Sequence, residues 1–333
     1  MSDRKSVWCT VLLGLFAVLI FGAGPAFSQQ SSKPIRVGVL ATGFEPSYAA
    51  QDRGLVAGLR DHGDIEGKNL IIERRYGHLD SKRISVLAQE LAGMNLDAIG
   101  TVCTGTTGAA KGATNSTPIV MLQVPDPVGQ GLAASLARPG TNVTGRSSQH
   151  FDLVPKILQL FHETMPKADR IAVLVNAPNR LHQKTWREAL AASQSLNVDL
   201  IRVEMQGAEG LDAALESVAK SNANALFVLP DDPPTYNLRS RIIAFARERA
   251  LPLLAPYGEV VADGALTSYG ESTEDAAQGV ALYLDKIARG SNPAELPIMQ
   301  PTRFELTVNQ RVAKELGITI PVSVLVRADR VIE

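Results

Sequence analysis

The segment Val120-Met121-Leu122-Gln123-Val124-Pro125-Asp126-Pro127-Val128-Gly129, continued by Leu136-Ala137-Arg138-Pro139-Gly140-Thr141-Asn142-Val143-Thr144-Gly145, decides how this chain is divided. It opens as an apolar strand, Pro118 to Val124, and turns at Pro125-Asp126-Pro127. A short piece from Gly129 to Leu136 follows, Arg138-Pro139-Gly140 turns again, and Asn142-Val143-Thr144 begins another strand. Each proline fixes its own φ and keeps the preceding residue out of the helical region, so the segment is a stiff, stepped crossing. Because strands and helices alternate on both sides of it, it reads as the passage between two lobes, with Asp126 at the mouth of the cleft. The alternative is an ordinary loop inside one sheet.

Upstream, Ile35-Arg36-Val37-Gly38-Val39-Leu40 reads as a buried parallel strand, and Ser47 to His62 as a helix presenting Leu55, Val56 and Leu59 on one face. Asn69 to Tyr76 is a second strand. The spacing of Ile84, Leu87, Ala88 and Leu91 predicts an amphipathic helix over 81–93. Leu96 to Cys103 is a third strand and Gly105 to Ala113 a third helix. Downstream the layout restarts. Val154, Ile157, Leu158 and Phe161 form a helical stripe, followed by strands at 171–175, 198–204, 225–229 and 251–255 with helices between them. Matching elements stand about 130 residues apart, the period of a whole lobe rather than of a solenoid repeat.

This alternation predicts an α/β fold of two similar Rossmann-like lobes, each with a parallel sheet covered on both faces. Beyond Tyr257 a short strand, a helix ending at Gly290 and an extended connector form a tail that revisits both lobes, so three crossings allow them to hinge. The expected division is 34–145 with 258–292 for the first lobe, and 146–257 with 293–333 for the second.

A chain of 333 residues has room for two ordinary domains. Hydrophobic residues make up 45% and charged residues 20%, a globular balance. A net charge of −1, aromatics at 5% and no Lys/Arg run beyond a pair argue against nucleic acid as a partner. Arg4-Lys5, the apolar run Val11–Ala23 and the small-residue end Ala26-Phe27-Ser28 predict a secretory signal over 1–28, cut before Gln29, and hence export from the cytoplasm. A retained anchor is the alternative, since 6–32 carries no charge. Cleavage removes Cys9 and leaves Cys103 alone, so no internal disulfide is expected and stability comes from core burial.

Open α/β sheets bind ligands beyond the carboxyl ends of their strands. In the first lobe those ends supply Thr42, Phe44 and Glu45, then Thr104, Thr106 and Thr107, then Asp126. In the second they supply Asn176, Asn179 and Asp231, with Ser147, Ser148, Tyr257 and Glu259 near the crossings and Tyr269 ending the returning strand. Such residues also cap helices and satisfy turns. Thr104-Gly105-Thr106-Thr107-Gly108 is the sharpest signal. Free N–H groups and hydroxyls at a helix start suit a carboxylate, and the Thr106 hydroxyl is expected to donate to it. Asp231 or Glu259 opposite suits an ammonium. No Gly-Lys-Ser/Thr closes a Walker loop, and neither Gly-x-Ser-x-Gly nor His-Glu-x-x-His occurs. His62, His78, His150, His162 and His182 show no metal-ligand spacing. No catalytic residues, no cofactor and no metal are therefore expected.

Val124-Pro125-Asp126-Pro127-Val128, Ser135-Leu136-Ala137-Arg138-Pro139-Gly140 and Asn142-Val143-Thr144-Gly145 resemble the signature of the ABC-transporter substrate-binding protein family that includes tryptophan- and other aromatic-ligand binders. Glu66-Gly67-Lys68-Asn69, Thr267-Ser268-Tyr269-Gly270, the run Gln300-Pro301-Thr302-Arg303-Phe304-Glu305-Leu306, and the ending Ala328 to Ile332 resemble it too. The resemblance implies a type I periplasmic binding protein. Such a protein captures a small carboxylate-bearing solute, an amino acid or aromatic acid, as a monomer and delivers it to an ABC permease in the inner membrane. A periplasmic ligand-sensing module serving a signalling partner is the alternative.

Overall fold

The computed structural model describes residues 33–333; the expected signal segment and Cys9 lie outside the described residues. Strands β1 (Ile35–Ala41), β2 (Leu70–Tyr76), β3 (Ala98–Val102), β4 (Ile119–Pro125) and β5 (Val143–Ser148) form one sheet in the order β2-β1-β3-β4-β5. Every pairing in it is parallel. β4 is buried along its whole length, which is why it reads as a continuous apolar run rather than an alternating one. Helices α1 (Ala49–Asp61), α2 (Ser81–Gly93) and α3 (Thr104–Ala113) connect these strands. The apolar stripe Ile84, Leu87, Ala88 and Leu91 of α2 packs with Leu40, Ile99 and Met121 on one face.

The segment that reads as an interlobe passage stays inside the first sheet. β4 and β5 are neighbours, in register from Ile119 opposite Val143 to Pro125 opposite Ser148. The prolines do make a stepped connection, closed by Gln130 N–H to Asp126 O at 3.0 Å and Ala134 N–H to Pro139 O at 2.8 Å. The ordinary-loop alternative therefore holds. An apolar strand carries no local mark of the sheet it will join, and Asn142-Val143-Thr144 joins the old one.

The first true crossing comes after Ser148. The second lobe then runs through α4 (His150–Thr164), β6 (Arg170–Asn176), α5 (Arg180–Leu196), β7 (Asp199–Met205), α6 (Leu211–Lys220) and β8 (Ala225–Val228). It continues through α7 (Pro233–Asn237), α8 (Arg239–Glu248), β9 (Leu253–Ala255), α9 (Gly258–Asp263) and β10 (Thr267–Gly270). The order β7-β6-β8-β9-β10 repeats that of the first lobe strand for strand. Ile157 and Phe161 pack with Ile171 and Phe227 on one face, and Leu211, Leu215, Val218 and Ile242 fill the other.

After β10 the chain crosses back. In α10 (Thr273–Ala288), Ala277, Val280, Ala281 and Leu284 pack with Leu55, Leu59 and Val120 of the first lobe. The α1–α10 contact is close: a Cβ on Gly54 would stand 2.1 Å from the Glu274 carbonyl oxygen. Met299 still bonds to β5, accepting from Ser147 N–H at 2.9 Å. Only then does the chain return to the second sheet as β11 (Glu305–Asn309), antiparallel to β10, with α11 (Gln310–Glu315), α12 (Val322–Leu325) and β12 (Arg330–Ile332) completing that lobe. The stretch 258–292 thus divides. α9 and β10 belong to the second lobe because β10 is the fifth strand of its repeat, α10 belongs to the first, and 293–299 stays with the first. No helix among the described residues is long and apolar enough to cross a membrane.

Candidate ligand-binding site

In each lobe the strand order reverses once, between β1 and β3 and between β6 and β8, and crevices at such points are where open α/β sheets hold ligands. The two crevices face each other across a cavity of ≈ 480 Å³. The first lobe contributes Thr42 after β1, Cys103, Thr104 and Gly105 after β3, Gln123 of β4, and Tyr48 and Gln51. From the second come Asn176 at the end of β6, Asp231 and Asp232 after β8, and Tyr236 and Tyr257. Leu79, Ile84, Leu181 and several prolines supply apolar wall, and no lysine or arginine among the described residues lines the cavity.

Backbone strain gathers here. Cys103 (φ 79), Gln123 (φ 52) and Asp231 (φ 58) all sit in the left-handed region that costs a non-glycine residue about 1–3 kcal/mol. At Gln123 the register of β4 shifts between Met121 and Val124, an irregularity that accompanies its side chain's place on the cavity wall. Cys103 supplies no side-chain cap to α3, so the first N–H groups of that helix are left for solvent or a ligand, and Thr104 and Gly105 carry them at the cavity wall.

Asp231 is held from both lobes. Its carboxylate accepts from Ser148 Oγ at 3.3 Å and lies 3.2 Å from His150 Nδ1. Its amide donates to the Tyr257 hydroxyl at 3.2 Å. Asp232 accepts from Asn176 Nδ2 at 2.7 Å and caps α7 through Thr235 N–H at 3.2 Å. His182 accepts the Asn176 amide on Nδ1 at 2.9 Å and faces the Pro230 carbonyl with Nε2 at 3.1 Å. Those two backbone groups select the neutral Nε2–H tautomer, and burial holds its pKa below the ordinary histidine value.

A chain of hydrogen bonds spans the cleft. The Tyr236 hydroxyl donates to Glu259 at 2.9 Å and accepts from Gln51 Nε2 at 3.2 Å; Thr273 donates to the same Glu259 oxygen at 2.6 Å. Since Glu259 only accepts, the direction of the chain is fixed, and Gln51 is left with its carbonyl oxygen unpaired. Gln51 Oε1 and Gln123 Nε2 are buried without partners, one acceptor and one donor. Burial pushes the Tyr48 hydroxyl up to about 12 and those of Tyr236 and Tyr257 upward as well, so all three stay neutral phenols. Tyr236 lies 6.2 Å from Tyr48 and 5.4 Å from Tyr257 between ring centroids.

Of the residues expected from sequence, Thr42, Thr104, Asn176, Asn179, Asp231 and Tyr257 come together on the cavity wall. Phe44 stands at the rim, stacked on His78 at 5.2 Å, with its amide donating to Asn237 Oδ1 at 3.1 Å; Glu45 is exposed beside it. Glu259 sits behind Tyr236. Thr106 and Thr107 are corrections. Both are fully buried, and their hydroxyls donate back to the Val102 and Cys103 carbonyls at 2.6 and 2.8 Å, the local bond that threonine makes inside a helix. Asp126 is exposed and closes a turn with Gly129 N–H at 2.9 Å, Ser147 donates to Met299 O at 3.2 Å, and Tyr269 packs on Phe304 at 6.1 Å; none of them lines the cavity. Tyr48, Gln51, Gln123, Asp232 and Tyr236 were not expected. The run Pro230-Asp231-Asp232-Pro233-Pro234 did signal a capped helix start after a strand; nothing local signalled the twist at Gln123. Among the described residues no group of ≥ 3 His, Cys, Asp or Glu side chains is placed to hold a metal ion.

Two doubly wound lobes that share one strand order and meet over a cavity with an apolar wall and a few convergent polar groups define a solute-binding protein of the type I periplasmic class. The chain belongs to the ABC transporter substrate binding protein family, whose pattern matches residues 36–332. Its members are extracytoplasmic substrate-binding proteins rather than enzymes. The sequence is similar to that of a tyrosine-binding protein of Clostridioides difficile (strain R20291), 25% identical over 287 residues, covering 86% of this chain and 82% of that one. The fold is similar to an ABC domain in complex with L-Trp from Streptococcus pneumonia, with a TM-score of 0.81 at 22% identity over 90% of this chain and 100% of the other. It is also similar to the ligand-free, open structure of a substrate-binding protein with adhesive properties from Clostridium difficile, with a TM-score of 0.63 at 25% identity over 90% and 99% of the two chains.

Proposed function

We propose that this protein captures an amino acid with an apolar or aromatic side chain in the interlobe cavity and presents it to an ABC permease in the inner membrane. It works in the periplasm as a monomer, after removal of its leader. The observation that carries the reading is the pairing, across one cavity without lysine or arginine, of an uncapped helix N-terminus with the Asp231 carboxylate. The N–H groups of Thr104 and Gly105 take the ligand carboxylate, with Thr42 and Thr104 hydroxyls at hand. Asp231 takes the ammonium, and Asn176 lies beside it. Gln51 Oε1 and Gln123 Nε2 offer one further acceptor and donor. The tyrosines and the apolar wall enclose the side chain.

The relatives support this. One is a tyrosine-binding protein, and another structure holds L-Trp. The lobe arrangement fits the closed form: three hydrogen bonds join the lobes at Phe44, Tyr48 and Gln51, and the TM-score is higher to the L-Trp complex than to the open protein. Calorimetric titration with L-tyrosine, L-tryptophan, other amino acids and aromatic acids tests the reading. An amino acid should bind and the corresponding acid without its ammonium should bind far more weakly. Preference for the acid lacking the amine would overturn it.

A further inference from the structure

The cleft carboxylate Asp231 belongs to a buried row of charges that continues into the hinge. His150, the first residue of α4 after the first crossing, is 1% exposed and touches Asp231 through Nδ1 at 3.2 Å. On the second crossing stands Glu271, 2% exposed and paired with Arg146 of β5. The chain at this crossing runs directly over the imidazole: a Cβ on Gly270 would lie 3.7 Å from His150 Cδ2. His150 Nε2 and both Glu271 oxygens are buried without an aligned hydrogen-bond partner. The row therefore reads Arg146, Glu271, His150, Asp231, and its signs alternate only when His150 carries a proton. Glu259 of α9 adds further negative potential, Tyr257 presses its ring edge-on at 5.0 Å, and Ser148 donates to Asp231.

We propose that His150 is a positioning residue that couples ligand capture to proton release: as an imidazolium it is the counter-charge of Asp231 in the empty protein, and it gives up its Nε2 proton to solvent when a ligand ammonium takes over that role. This rests on the reading of Asp231 as the ammonium's partner. The Nδ1–H bond to Asp231 survives the loss, so the neutral imidazole still aims the carboxylate. Although burial by itself pushes the imidazole toward neutrality, the carboxylates of Asp231, Glu271 and Glu259 outweigh it and raise its pKa above the ordinary value. An arriving ammonium opposes that field. Binding and protonation are linked reciprocally, so ligand affinity rises with pH across the His150 titration, by at most about tenfold per pH unit.

Calorimetry with L-tyrosine and L-tryptophan at pH 6–8, in buffers of different ionisation heat, reads the exchanged proton. The native protein should release between zero and one proton, and His150→Gln should release none and show a pH-independent affinity. Equal heats in all buffers for the native protein, or unchanged release in the variant, overturn the proposal. The proton resonances of His150 in the unliganded native protein decide it even where neither amino acid binds; the functional reading is overturned separately, by a preference for the acid lacking the amine. A midpoint above 6.5 is expected, and one at or below 6.5 sinks the inference.

Discussion

Asn237 of the second lobe occupies the place where a Cβ on Gly43 of the first would stand, its Oδ1 1.8 Å from that position. The same side chain accepts from Phe44 N–H at 3.1 Å and donates to the Tyr48 hydroxyl at 3.3 Å. The lobes can meet at this rim only because Gly43 has no side chain. Gly43→Ala should hold them apart while leaving each lobe intact. Ligand affinity should fall by about fivefold to a hundredfold as these bonds, roughly 1–3 kcal/mol together, are lost. Small-angle scattering with saturating L-tyrosine should show less compaction than for the native protein; equal compaction and affinity would refute the role of this contact.

Gly105 lies in the first turn of α3 on the cavity wall, and a Cβ there would meet nothing within 4 Å. Gly105→Ala should raise thermal stability, since alanine in a helix is favoured by about 0.5–1 kcal/mol. It should also weaken ligand binding by placing a methyl group where the ligand carboxylate meets the N–H groups. A variant that melts higher and binds as well as the native protein would place the carboxylate elsewhere.

Asp231 and Thr106 are expected to behave oppositely. Asp231→Asn should cost about 1.5–3 kcal/mol of binding, on the order of tenfold to a hundredfold in Kd for an amino acid. Thr106→Val should leave Kd unchanged, because its hydroxyl is spent on Val102 O, and should lower stability by about 1 kcal/mol at most. Titration of both variants against one ligand, with melting curves, checks the pair; a large binding defect in Thr106→Val would restore that hydroxyl to the site.

The two buried histidines should give the unliganded protein a stability maximum. His182 has its pKa lowered by burial, so the unfolded chain takes a proton first, and stability falls as pH drops below 6.5. His150 has its pKa raised, so its contribution is full below 6.5 and is lost as pH rises through its higher folded value. Denaturant unfolding at a series of pH values should show both limbs. His182→Gln should flatten the acid limb and His150→Gln the alkaline one, and unchanged slopes in either variant would count against that assignment.

Local periodicity made the interior of each lobe legible. Ile84, Leu87, Ala88 and Leu91 face one core because residues at that spacing share a helix face, and Ile35 to Leu40 forms a strand with Val37, Gly38 and Leu40 buried because helices cover both faces of a parallel sheet. The repeat of that layout was enough to give two lobes, and the strand-end rule brought Thr42, Thr104, Asn176 and Asp231 to one cavity.

Only the tertiary structure decided which sheet each strand would join. β5 extends the first sheet and β10 completes the second, because strand pairing is set by contacts between residues distant in sequence. The same holds at the site. Whether Thr106 faces the ligand or its own helix, whether Gln123 twists outward from a buried strand, and whether Gly43 has Asn237 against it depend on how neighbouring elements settle around them. A sequence states the side chain; its direction belongs to the packed fold.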